Sequence, residues 1–272
     1  MRKTSKGDET KMLNEHCSVE RIADGVLRLT ITNAGKANIL STPVILALTE
    51  GIRELAQDST LRALVLASCG DRSFIGGADI GEMARLDPRS GEQFIRKLSE
   101  LCEAVRRFPA PVVARIQGWC LGGGLELAMS CDMRVAAPSA QFAMPEVKVG
   151  IPSVIHAALM PRLIGMARAR RMILTGATID AATALQWGLV DAVAGEDGLD
   201  SAVLREVAPI LECGPAVITA QKALMREWDE LPLSGAIEVS VSAFGQAFNT
   251  GEPQRAMQAF LDEKAKRRME AV

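Results

Sequence analysis

Gly118-Trp-Cys-Leu-Gly-Gly-Gly-Leu-Glu126 is the stretch from which the fold can be read outward. An apolar, strand-like run, Pro111 to Gly118, leads into it, and the residues after it, Leu125 to Asp132, can be helical. A glycine run between a strand and a helix suits a backbone that turns sharply and presents bare N–H groups. Glu126 adds a carboxylate in the first turn of that helix. Backbone donors aimed at one oxygen beside an acid or base amount to half of an active site.

Two other segments repeat the theme. Phe74-Ile-Gly-Gly-Ala-Asp-Ile80 is a second glycine turn, after the strand-like run Leu61 to Ser68. Ala140-Gln-Phe-Ala-Met-Pro-Glu146, continuing as Val147-Lys-Val-Gly-Ile-Pro-Ser153, follows the strand-like Met133 to Pro138 and brings a second carboxylate, Glu146. The glycines fit no nucleotide motif. A Walker loop needs Lys and Ser or Thr after its last glycine, and a dinucleotide fingerprint needs Gly or Ala where Leu127 stands.

Around these segments the periodicity changes once. Val26 to Thr32 alternates apolar and polar residues, as a half-buried strand does. Ser41-Thr-Pro43 opens a helix with a capping hydroxyl and a proline tolerated in the first turn. Gly91 to Phe108 sets Phe94, Leu98, Leu101 and Val105 on one helical face. From Val26 to Met144 strands and helices alternate, which predicts an α/β layer architecture. From Ser153 to Lys266 the chain reads as almost wholly helical. The expected division is a disordered polar tail over residues 1–15, an α/β core over 16–195 and a helical region over 196–272.

The 272 residues carry a net charge of −2, so no strong attraction to polyanions is expected. The absence of tyrosine also argues against an RNA-binding platform. The six cysteines lack C-x-x-C spacing, and His16 and His156 stand far apart, so no metal site is expected. Cys102, Cys120 and Cys131 read as small core residues of a protein in a reducing, cytoplasmic compartment. No membrane span or secretory signal is expected.

Taken together and in this order, the three segments resemble the crotonase superfamily, the enoyl-CoA hydratase/isomerase family, over roughly Val19 to Lys266. The resemblance implies a core of stacked ββα turns and a helical C-terminal region that makes contacts in a homotrimer or dimer of trimers. It implies an oxyanion hole from the N–H groups of Ala78 and Gly123, beside Gly77 and Gly122, for the thioester carbonyl of an acyl-CoA. Glu126 would deprotonate a water and Glu146 would supply the proton at Cα, so that water adds across a 2-enoyl-CoA double bond. Both glutamates being present favours a hydratase. Isomerisation, thioester hydrolysis, decarboxylation and a non-catalytic CoA- or RNA-binding module are the alternatives.

Other residues enter through the same resemblance. Ala78 to Met83 resembles a loop bordering the adenine, so Asp79 and Ile80 are expected against substrate, with Gly81 where many members carry lysine. Met144 is expected to wall the acyl group, and Lys264 to reach a CoA phosphate. Members usually carry Ile-Pro-Gly-x-Gly-Gly-Thr after the second glutamate. Here Gly150-Ile-Pro-Ser-Val-Ile-His-Ala157 replaces it, and Ser153 and Val154 would carry the water-binding backbone. His156 is either a polar group of the pocket or a packing residue. No metal or redox cofactor is implied; coenzyme A arrives as part of the substrate.

Overall fold

Alanine, leucine and valine run almost without a polar break over Ala63–Ser68, and the strand they form is buried on both faces. A continuous apolar strand of this kind belongs in the middle of a parallel sheet covered on both sides. The computed structural model, which describes residues 10–270, places it there.

The strands in chain order are β1 (Lys11–Asn14), β2 (Cys17–Ala23), β3 (Val26–Ile31), β4 (Ala63–Ser68), β5 (Ser73–Ile75), β6 (Val112–Ile116), β7 (Trp119–Leu121), β8 (Met133–Ala136), β9 (Gln141–Ala143), β10 (Ile179–Asp180) and β11 (Ala192–Val193). A seven-stranded sheet runs β1-β2-β3-β4-β6-β8-β11, antiparallel over its first three strands and parallel from β3 onward. A four-stranded sheet runs β10-β9-β7-β5. Each of β4, β6 and β8 is thus followed by a short strand of the second sheet, after which the chain turns helical. These are the stacked ββα turns that the resemblance implied.

The helices of this part are α1 (Thr42–Leu55), α2 (Ile80–Met83), α3 (Pro88–Arg106), α4 (Gly123–Met129), α5 (Met160–Ile164), α6 (Met166–Thr175), α7 (Ala181–Trp187) and α8 (Leu199–Leu211). Helix α3 buries Phe94, Leu98, Leu101, Cys102 and Val105, the face read from the sequence, and starts with a reciprocal capping box between Asp87 and Ser90. Helix α1 departs from expectation. Ser41 caps nothing with its side chain; the carboxylate of Glu82 accepts from Thr42 N at 2.9 Å and from the Thr42 hydroxyl.

The described residues group into two compact units that divide at Ala208 and Pro209, later than the expected boundary after residue 195. Residues 199–208 of α8, most of the helix, belong to the first unit, where Leu199, Ala202, Val203 and Val207 are buried. Asp200 also pairs with Arg28 and Arg115 of β3 and β6, at 2.9 and 2.6 Å. The second unit holds α9 (Pro215–Glu230), α10 (Leu233–Ala247) and α11 (Glu252–Glu270). Glu252 accepts from the N–H groups of Ala216 and Val217, capping α9 from a distant point in the chain.

The expected tail is corrected in part. Lys11–Asn14 pair with β2, and Asn14 donates to Ala47 O at 2.9 Å, so this polar stretch is a sheet edge. Residues 1–9 lie outside the described residues. Asp132, just after α4, accepts from Val112 N at 2.7 Å.

Buried polar side chains tie the corners between the sheets. Gln117 donates to Ser68 O, Ser68 Oγ and Gly70 O, and Asn38 donates to Cys69 O and Ser73 O. Between β6 and β7, Gly118 takes φ +56°, and a Cβ there would sit 2.0 Å from the carbonyl oxygen of Arg72. Only a backbone without a side chain can pass this corner. Gly118→Ala is expected to cost about 3 kcal/mol, combining left-handed strain with a backbone clash. A urea-unfolding midpoint unchanged in this variant contradicts that account of the corner.

Candidate active site

The N–H of Ala78 is available because its neighbours are held elsewhere. Leu40 N donates to Gly77 O at 2.9 Å, Asp79 N donates to Leu40 O at 3.2 Å, and Gly76 N donates to Ala37 O at 2.8 Å. These bonds lock the backbone on both sides of Ala78, whose own N–H has no acceptor among the described residues. The same holds at the start of α4. Gly122 N donates to Ala143 O and Glu126 N to Gly122 O, while the N–H of Gly123 is left without a partner there. The first N–H groups of a helix are unsatisfied by construction.

Both amides line one cavity of about 110 Å³. Its walls are Gly76, Gly77, Ala78, Ile80 and Met83 on one side, and Leu121, Gly122, Gly123 and Glu126 on another. Phe94, Ile95 and Leu98 of α3 close it, and Pro145, Glu146, Val149, Ile151, Pro152 and Val154 complete it. The lining is apolar apart from two carboxylates and the bare amides, an arrangement that binds an apolar group and orients one polar atom.

The glycines let these walls approach. Gly122 has φ +52°, and a Cβ on it would lie 2.4 Å from Glu146 Oε1. A Cβ on Gly124 would lie 2.6 Å from Cβ of Ile75, in β5. The first glycine thus brings the second carboxylate over the helix start, and the third packs α4 on the short sheet.

The two carboxylates differ in environment. Glu126 is 3 % exposed, and its Oε1 accepts from Ala157 N at 2.9 Å. Burial raises its pKa to about 8; the Ala157 bond opposes that rise and the nearby Glu146 adds to it. Glu146 is half-buried at the start of a 3-10 turn, and its Oε2 accepts from Ser153 Oγ at 2.9 Å. Burial therefore favours the protonated form of Glu126 near neutral pH, beside a second carboxylate that is less buried, the kind of asymmetry that acid–base work needs.

Of the residues expected here, Gly77, Ala78, Ile80, Gly122, Gly123, Glu126, Glu146 and Val154 line the cavity. Four other expected residues do not line it. Asp79 caps α2 by accepting from Glu82 N at 3.0 Å. Met144 has no exposed surface and belongs to the core rather than to the cavity wall. Ser153 donates its hydroxyl to Glu146. Lys264 lies exposed on α11, in the second unit. The sequence reading missed Ala157 as the donor to Glu126, because no local signal distinguishes that N–H. It also missed α3 as a wall, although Phe94 and Leu98 were on the apolar face already read. His156 is buried against Glu103 and does not line the cavity. Among the described residues no group of three or more His, Cys, Asp or Glu side chains is placed to hold a metal ion.

A sequence profile described as enoyl-CoA hydratase/isomerase matches residues 21–270, and the chain belongs to that family. It is 32 % identical over 243 residues to a short-chain-enoyl-CoA hydratase of Clostridium acetobutylicum, covering 89 % of this chain and 93 % of the relative. It is 33 % identical to a crotonyl-CoA hydratase of Syntrophomonas wolfei, covering 88 % and 92 %. The crystal structure of an enoyl-CoA hydratase from Mycobacterium smegmatis superposes with a TM-score of 0.87 at 29 % identity, covering 92 % of this chain and 97 % of that one.

The raised pKa of Glu126 has a consequence for stability. Unfolded, the carboxyl ionises near 4.5; folded, it keeps its proton to about 8. Between those values the folded state binds more protons, so this group's contribution to stability falls as pH rises, and levels off above about 8. Glu126→Gln removes that loss. The Tm of the variant minus that of the wild type is expected to grow between pH 5 and pH 8; a difference independent of pH contradicts the assignment.

Proposed function

We propose that this chain is an enoyl-CoA hydratase, adding water across the double bond of a 2-enoyl-CoA thioester. The observation that carries the reading is the juxtaposition, around one apolar cavity, of two residues with unpartnered backbone amides and two carboxylates, one of them buried. The relatives named as hydratases support it.

The thioester carbonyl accepts from the N–H groups of Ala78 and Gly123. The water oxygen forms a bond to Cβ, and its proton passes to the ionised carboxylate of the pair. The double-bond electrons move to the carbonyl oxygen, where the two amides hold the enolate charge. Collapse of the enolate takes a proton at Cα from the protonated carboxyl. Donors of this kind are worth about 100- to 1000-fold in rate each. The division implied by resemblance has Glu126 deprotonate water and Glu146 protonate Cα. Burial keeps the resting proton on Glu126, so that division runs through the minor protonation state of the pair.

In this reading acyl-CoA is the substrate, neither metal nor redox cofactor takes part, and the protein is cytoplasmic and binds no nucleic acid. Among the described residues no helix is long and apolar enough to cross a membrane. The second unit would assemble copies into a trimer or a dimer of trimers. What supports this is the stripe Leu233, Ile237, Val241 and Phe244 along α10, whose residues are 78 %, 56 %, 66 % and 69 % exposed.

Incubation with a panel of 2-enoyl- and 3-enoyl-CoA thioesters in heavy water, read by mass spectrometry, tests the function. The expected product gains one water and one carbon-bound deuterium. Double-bond migration without water addition points to an isomerase instead. Glu126→Gln and Glu146→Gln are each expected to reduce hydration by about 1000-fold with the fold intact. Because Glu126 loses its proton near pH 8, kcat/KM of the wild type is expected to fall above about pH 8.

A further inference from the structure

Residues 153–157 depart from the glycine-rich pattern of the family, and they close one side of the site with a strained turn. Ile155 has φ +37°, a region that β-branched residues enter rarely. Such a residue persists only where its surroundings over-determine it. Two positions later, the N–H of Ala157 is shared between Val154 O and Glu126 Oε1, both at 2.9 Å. The strained turn therefore delivers the one hydrogen bond that the Glu126 carboxylate accepts among the described residues.

The anchor of that turn is His156. It is 8 % exposed, and its Nε2 lies 3.0 Å from Glu103 Oε1, on the last turns of α3. Burial would raise the pKa of Glu103, but the bonds from His156, Arg106 and Arg107 hold it at about 2. Arg106 and Arg107 reach it at 2.8 and 3.0 Å. An ionised carboxylate only accepts, so Nε2 carries the proton and donates. Glu103 is thus a fixed post, gripped from its own helix, to which the imidazole ties the turn.

We propose that His156 is a positioning residue: its bond to Glu103 holds the Ile155 turn in the conformation that presents the Ala157 N–H to Glu126. The role of Glu126 in this proposal rests on the hydratase reading. The other titratable groups facing Glu126 are Glu146, from the turn after β9, and Cys102, from α3. Neither is hydrogen-bonded to His156, and the comparison with His156→Gln, which keeps a donor on Glu103, separates a change at Ala157 from other effects of removing the imidazole.

The test compares His156→Ala, His156→Gln and Ile155→Gly/His156→Ala. Glutamine can still donate an amide N–H to Glu103, and glycine removes the strain at residue 155. In His156→Ala, kcat is expected to fall about tenfold, with KM little changed, as a charge-assisted bond is lost. Loss of the Ala157 donor is also expected to move the titration of Glu126, followed by carbon-13 NMR of glutamate-labelled protein and assigned with Glu126→Gln, up by about one pH unit. The high-pH limb of kcat/KM should move with it. His156→Gln should restore both, and Ile155→Gly should restore them in part in the alanine background. If His156→Ala lowers only the Tm, leaving kcat and the Glu126 titration in place, the residue is merely structural and the proposal fails. It fails equally if glutamine rescues nothing, which also decides the matter should the alanine variant not fold. A wild-type chain that hydrates no substrate refutes the hydratase reading, while the NMR titration still decides whether His156 positions Ala157.

Discussion

The site depends on the absence of side chains at the junction of β7 and α4. Glu146 Oε1 occupies the space where Gly122 would carry a Cβ, and Ile75 occupies that of Gly124. A Cβ at either position drives apart the elements that must meet: the second carboxylate from the helix start, or the short sheet from α4. At Gly123 a Cβ would lie 2.8 Å from Cδ2 of Leu98, which packs α3 against the same turn. Bare backbone is what allows two carboxylates, a helix N-terminus and an apolar wall to converge on one small volume.

Convergence has an energetic consequence. Glu126 is held almost out of water with one backbone donor and a like-charged neighbour, which favours its neutral form. A sequence selected for stability alone would place an apolar residue or an amide there. The functional use of the position is a proton retained near neutral pH, close to its partner carboxylate and to the amides of Ala78 and Gly123. The remaining buried polar groups around the fold are better matched: Gln117, Asn38 and Asp132 each meet backbone partners, as buried polar atoms must.

Two carboxylates connect the site to the scaffold. Glu82, one turn beyond Ala78, caps α1 across forty residues of sequence and so ties the first glycine turn to a helix of the core. Glu103, near the end of α3, holds the turn that faces Glu126. Both are carboxylates to which the sequence reading assigned no part in the site. Neither is recognisable by spacing, because each acts on a residue brought near only by the fold.

The long parallel strands, the amphipathic face of α3, the glycine turns and the two glutamates were legible in the sequence. Each is written in a local pattern: an apolar run, a 3.6-residue period, a glycine beside a strand. The two- and three-residue strands of the second sheet were not, since so few residues carry no period, and polar Lys11–Asn14 gave no sign of pairing at a sheet edge. Met144 was expected on the cavity wall and lies in the core, because sequence names the residue and not the direction of its side chain. The sequence by itself determined which backbone amides lack side chains and which carboxylates stand beside them. Only the tertiary structure decided that Glu126 is the buried, proton-retaining member of the pair and that Ala157 and Ser153 are the donors on the two acids. Burial and hydrogen-bond partnership are properties of neighbours distant in the chain, and no local pattern encodes them.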